Sequence, residues 1–148
     1  MVEKKVQLTG NQLIQMANQE KQKLAQINDQ VARFQEFKTE LLAAKDVLTE
    51  IEKNKKGDKI LINLGAGVYM NMTIDETSKA ISSLSGNVFK EKNSKELIKV
   101  LDNKIKNMNK TISKIAEDQQ KAMARVNQLE QVLNAGRQHT QKQRAAQN

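Results

Sequence analysis

Two places in the 148-residue chain carry residue types that could do chemistry: the glycine loop Gly65-Ala66-Gly67 and His139, the one histidine. A glycine loop can cradle phosphate when it leads into a helix whose N-terminus meets the anion, as in G-x-x-x-x-G-K-[ST] or G-x-G-x-x-G. Here Val68 resumes an alternating pattern, with no third glycine and no Lys-Ser/Thr behind it, so the loop reads as a turn. His139 stands in "GRQHTQKQR" with no acid or cysteine beside it, which is the setting of a solvated imidazole. With no cysteine and no nucleophile–base set or metal cluster at workable spacing, we expect no catalytic residue, no metal and no cofactor.

The elements around the loop are mostly helical. "VQLTGNQL" reads as a helix start, with Thr9 and Gln12 as a capping box and Leu8 stapled on Leu13. No strong breaker follows until "NKKGDK" at 54–59. The apolar positions Leu13, Ala17, Leu24, Ile27, Val31, Phe34, Phe37, Leu41, Ala44, Leu48 and Ile51 recur mostly at three or four residues, as in a coiled coil. The two steps of three through Val31, Phe34 and Phe37 predict a stammer.

A second helix starts at "KNSKEL", with Ser94 the preferred cap and Asn93, which has Glu96 at its N3, the rival. Its seam is Ile98, Leu101, Ile105, Met108, Ile112, Ile115, Gln119, Ala122, Val126, Leu129 and Leu133. The polar member, Gln119, suits a residue that fixes register. Gly136 is expected to end this helix and to leave 136–148 as a disordered basic tail.

Between the helices the period drops to two. Ile60, Ile62 and Leu64 alternate before the glycine loop, and Val68, Met70, Met72 and Ile74 after it; "AISSL", Ser85-Gly86-Asn87 and "VFKEK" suggest a second hairpin. The expected architecture is therefore mainly α: a long antiparallel coiled-coil hairpin (9–54 and 94–135) with two small antiparallel β-hairpins (59–92) inserted. The whole chain is one domain. Such an insert has open edges and invites other strands, so Ile60, Ile62, Leu64, Val68, Met70, Met72, Ile74, Ile81 and Val88 are the expected assembly residues.

The apolar fraction is 38%, low beside the ~45–50% of ordinary domains, and suits paired rods better than a large core. Apolar runs fall far short of the ~20 residues of a membrane span, and the start "MVEKKVQLTG" has no apolar signal core, so a soluble cytoplasmic protein is expected. A net charge of +8 raises nucleic acid, an anionic membrane or an acidic protein as partners; for nucleic acid, aromatic stacking and groove-reading motifs are missing.

The arrangement, and "INLGAGVYMNMTIDETSKAISSL" in particular, resembles the alpha class of the prefoldin family. There a strand and turn V-P-L-G-A-G-x-[FY] precede an x-I-x-D-T turn and a strand leading to G-x-G-x-x-V-E-K. "VFKEK" is similar to the closing strand, and "LTGNQLIQMANQEKQKL" to the opening of one of the two alpha-class chains of the eukaryotic complex. Asn63 stands where the family has proline, and Ser85-Gly86-Asn87 where it has its second G-x-G.

The resemblance implies a non-enzymatic, ATP-independent holding chaperone. It would be a hexamer of two alpha-class and four beta-class subunits on a β-barrel platform. Its coiled-coil tips would hold unfolded clients such as actin and tubulin for a cytosolic chaperonin. The alternatives are a prefoldin-like scaffold in another assembly and a nucleic-acid-binding coiled coil. In a helical hairpin both termini share one end, which gives Leu8, Leu13, Ile14 and Met16, with Val126, Leu129, Val132 and Leu133, as the expected client-binding residues. The same side chains could instead simply complete the coiled coil.

Overall fold

The computed structural model describes residues 9–145, apart from the side chain of Arg144. Its elements run α1 (Gly10–Lys53), β1 (Lys59–Gly65), β2 (Val68–Thr73), β3 (Lys79–Ser85), β4 (Val88–Asn93) and α2 (Ser94–Ala145). Two long helices with two β-hairpins between them are as the period change in the sequence requires. Two units emerge, one combining the chain up to Phe34 with the chain from Thr111 onward, the other formed by Gln35–Lys110.

The capping box forms as read. Gln12 N–H donates to Thr9 Oγ1 at 3.3 Å, and Gln12 Oε1 accepts from Thr9 N–H at 2.9 Å. Leu8, the other half of the expected staple, lies outside the described residues. At α2 the rival cap prevails: Asn93 Oδ1 accepts from the N–H groups of Lys95 and Glu96 at 3.0 and 3.4 Å. Ser94 is instead buried, its own N–H given to the Ser78 carbonyl at 2.8 Å. Asn93 closes β4, and so already has the extended backbone that an N-cap needs.

Burial along α1 corrects the expected seam. An unbroken alternation of four and three runs through its half-buried and buried positions Leu13, Ala17, Glu20, Leu24, Ile27, Val31, Phe34, Lys38, Leu41, Lys45, Leu48 and Glu52, with Thr49 and the expected Ile51 also half-buried near its end. The stammer does not occur. Phe37 is 45% exposed and Ala44 is exposed, while the stems of Lys38 and Lys45 take the seam. Long charged side chains can cover apolar surface with their methylenes, so tracking apolar letters alone follows the wrong residue at these two turns. The α2 seam follows its reading throughout, including half-buried Gln119.

In the first unit α1 and α2 run antiparallel. Lys21 Nζ meets Glu130 Oε1 at 2.6 Å, and further along Gln119 Nε2 donates to Asn28 Oδ1 at 2.7 Å. Ala17, Ile27, Ala122 and Val126 are the buried apolar side chains there. α2 does not stop at Gly136 but continues to Ala145. One glycine inside a helix costs only about 1 kcal/mol. Strong helix formers follow, Arg137, Gln138, Gln141, Lys142 and Gln143, so nothing forces the end that a C-cap glycine would mark. Residues 146–148 of the expected tail lie outside the described residues.

In the second unit, Lys45 Nζ meets Asp102 Oδ1 at 2.5 Å, and Leu41, Leu97 and Leu101 are buried. α1 leaves through a turn in which Asp58 Oδ2 accepts from Lys55 N–H at 2.7 Å, and Gly57 takes φ +93°. Ile74 closes the base of the first hairpin: its carbonyl accepts from Gly57 N–H at 2.7 Å and its N–H donates to the Asp58 carbonyl at 2.9 Å. Each hairpin is a separate two-stranded antiparallel sheet with a two-residue turn, Ala66-Gly67 or Gly86-Asn87, and a bulge just before it.

Candidate functional site

Among the described residues no group of three or more His, Cys, Asp or Glu side chains is placed to hold a metal, and no helix is long and apolar enough to cross a membrane. What stands out is apolar surface, in two places described separately.

The first is a cleft of about 450 Å³ in the first unit, between the start of α1 and the last turns of α2. It is lined by Gly10, Leu13 and Ile14 on one side and by Val132, Leu133, Gly136, Arg137, Thr140 and Gln141 on the other. Helical spacing explains the lining. Leu13 and Leu133 are seam residues at the frontier of the paired region, whereas Ile14 and Val132, each one position off the seam, widen the apolar surface toward solvent at 41% and 49% exposure. Gly136 has no side chain to fill the space beside them.

Four of the eight expected client-binding residues thus meet in one cleft: Leu13, Ile14, Val132 and Leu133. Met16 and Leu129 line a neighbouring hollow of about 290 Å³ with Gln19, Glu20, Arg125 and Gln128. Val126 is buried at 7% exposure and belongs to the seam, and Leu8 lies outside the described residues. The sequence reading missed Arg137, Thr140 and Gln141, because Gly136 was expected to end the helix that presents them. The strong helix formers Arg137, Gln138, Gln141, Lys142 and Gln143 after Gly136 were the signal available.

The second surface is the pair of hairpins. In β1 and β2, Ile60 pairs with Met72 and Ile62 with Met70, so these four share one face with Val68, whose partner is Gly65. Leu64 is the extra residue of the bulge between Asn63 and Gly65. Ile62, Leu64, Val68, Met70 and Met72 are between 37% and 57% exposed, and Ile60 is half-buried. The opposite face also carries exposed Leu61 and Tyr69, which the alternation had set aside.

In the second hairpin Ile81 sits opposite Glu91 and Val88 opposite Ser85; Ile81, Leu84, Val88 and Phe89 are all more than half exposed. Ile74 departs from its reading as an assembly residue. At 6% exposure it is packed within its own chain, because it lies past the end of β2 at the base of the hairpin.

Local geometry supports both turns. Gly65, Ala66 and Gly67 all have positive φ, +97°, +51° and +77°, and Asn63 Oδ1 accepts from Gly65 N–H at 2.8 Å. The side chain at the expected proline position therefore stabilises the bulge. Between the hairpins, Glu76 Oε1 accepts from both the N–H and the Oγ of Ser78 at 2.8 and 2.6 Å, and these hydrogen bonds hold its carboxyl below the usual carboxylate range. The Lys79 ammonium is raised above its ordinary value by its hydrogen bond and attraction to Glu91.

A narrow paired-helix unit with an apolar cleft, and a unit of hairpins with apolar faces, define a class of helical-hairpin proteins with a small β insert. A family model for the prefoldin subunit matches residues 20–139, and the chain belongs to that family, a family of chaperones. It is 25% identical over 111 residues to prefoldin subunit alpha of Thermofilum pendens, a match covering 72% of this chain and 86% of that protein. Its fold is similar to that of filamentous PFD from Methanocaldococcus jannaschii, seen by cryo-EM. There the TM-score is 0.61 at 15% identity, with 80% of this chain and 96% of that chain covered.

Proposed function

We propose that the chain is an alpha-class subunit of a hexameric, ATP-independent holding chaperone. In this reading it captures non-native chains at the open ends of its helices and releases them to a cytosolic chaperonin. The observation that carries the proposal is the cleft between Leu13, Ile14, Val132 and Leu133. It is apolar, open to solvent, and built partly from side chains that the helix pairing does not use. Exposed contiguous apolar surface on a charged protein marks an interaction site, and flexible residues such as Met16 and Met123, both exposed nearby on the helices, suit varied partners.

The hairpins have the complementary role. Two isolated two-stranded sheets with free edges and exposed Ile, Leu, Val, Met and Phe are marginal in water, and pairing with strands of beta-class and second alpha-class subunits would cover them. Cytoplasmic placement goes with this reading, and so do clients of the actin and tubulin kind.

The proposal is tested by replacing Ile14 and Val132 with Ser. Both are substantially exposed, so the helix pairing should survive, while suppression of aggregation of a chemically denatured client by the purified assembly should fall several-fold. Holding at the unsubstituted level would overturn it.

A further inference from the structure

We infer that the cleft selects apolar segments that carry acidic residues, an inference that rests on the holding role proposed above. The reason is the charge around the cleft. From Gly10 to Gln19 α1 has no charged side chain, and from Gln131 to Ala145 α2 has no acidic side chain, while Arg137 and Lys142 are cationic. Arg137 lines the cleft directly, is exposed, and makes no ion pair among the described residues. By contrast, cations at the adjoining turns of the same unit are matched: Lys21 by Glu130, and Arg125 by Glu20. Lys23 and Lys114 of the same unit also make no ion pair among the described residues, but they do not line the cleft, whose one charged lining residue is Arg137.

Two further features add to it. Gly10, the first residue of α1, lines the cleft, so the positive end of that helix's dipole is at its edge; the first turn holds no acidic side chain to offset it. Lys142 falls in the last turn of α2, where a cation also complements the helix end, but Arg137 lies about two turns before that end and has no such role. Gln141 offers a hydrogen-bonding group beside it, whereas the Thr140 hydroxyl donates to the Gly136 carbonyl at 3.0 Å. A chain segment whose apolar side chains enter between Ile14 and Val132 would thus meet a cationic rim. Carboxylates flanking those side chains are attracted there, and lysines are repelled.

The test uses the full-length chain and three fluorescein-labelled peptides with the same Leu/Phe core, flanked by Glu, by Ser or by Lys. Anisotropy at low salt should give the Glu-flanked peptide about fivefold tighter binding than the Ser-flanked one, the size expected of one or two exposed charge pairs, and the Lys-flanked peptide weaker binding than either. The preference should shrink at high salt, and Arg137→Glu with Lys142→Glu should reverse the order. Equal affinities for all three peptides, or an order that charge reversal leaves untouched, would overturn the inference while leaving the holding role standing. If none of the three binds, and Ile14→Ser with Val132→Ser also leaves aggregation suppression intact, the holding role falls and the charge selectivity with it.

Discussion

Gln119 reaches across from α2 and donates its side-chain N–H to Asn28 Oδ1 on α1 at 2.7 Å, a polar residue in an α2 seam otherwise made of Ile, Leu, Met, Ala and Val. Asn28 is exposed, so water can satisfy it if the contact is lost. Polar seam residues of this kind specify alignment and reduce stability. Replacing Gln119 with Leu should therefore stabilise the chain by about 1 kcal/mol, read as a higher urea or thermal midpoint. Destabilisation of that size would show that the hydrogen bond is a net source of stability.

The corrected α1 seam separates two phenylalanines three residues apart. Phe34 is half-buried at a seam position, and Phe37 is 45% exposed beside it. Phe34→Ala should cost about 3 kcal/mol, and Phe37→Ala less than about 1 kcal/mol, in the same denaturation assay. Equal costs would restore the stammer. Lys38→Leu should be neutral or stabilising, since the position already holds a methylene stem.

At the first hairpin turn, Ala66 holds φ +51°, a conformation that costs an ordinary residue about 1 kcal/mol or more. Ala66→Gly should accordingly stabilise the hairpin by up to about 1 kcal/mol, and Gly67→Ala, at φ +77°, should weaken it by a similar amount. Hydrogen-exchange protection of the β1 and β2 amides reports both changes.

Glu76 gives the pH dependence. Its carboxyl is held low by Ser78, so the contribution is present above the ordinary pKa of 4.5 and is lost as pH falls through the lower folded value. A side-chain NMR titration should place the Glu76 midpoint below 4.5, and Ser78→Ala should move it upward. A midpoint at or above 4.5 would contradict the pair of hydrogen bonds.

Much of this fold was legible because its two periods are sharp. The three-four alternation from Ile98 to Leu133 and the two-residue alternation on either side of Gly65 left little choice of element. The misreadings share a cause, which is that residue type stood in for environment. Lys38 and Lys45 occupy seam positions through their stems, Ser94 is drawn into the hairpin base while Asn93 caps, and Gly136 is carried by strong helix formers around it. Ile74 alternates like an assembly residue, yet it lies past its strand, where the base of the hairpin buries it. The apolar half of the cleft could be read from Leu13, Ile14, Val132 and Leu133. Its cationic rim could not, because it depends on α2 continuing past Gly136.

The most direct test of the holding role is to place a photo-crosslinking amino acid at Val132, at Ile14 and, as a control, at Val47, an apolar residue at 57% exposure that is not part of the cleft lining. Each purified assembly is then irradiated with a chemically denatured client. The cleft positions should capture the denatured client strongly and the native client hardly at all, and Val47 should capture neither. Capture at Val47 equal to that at Val132 and Ile14, or no capture at the cleft, would contradict the account.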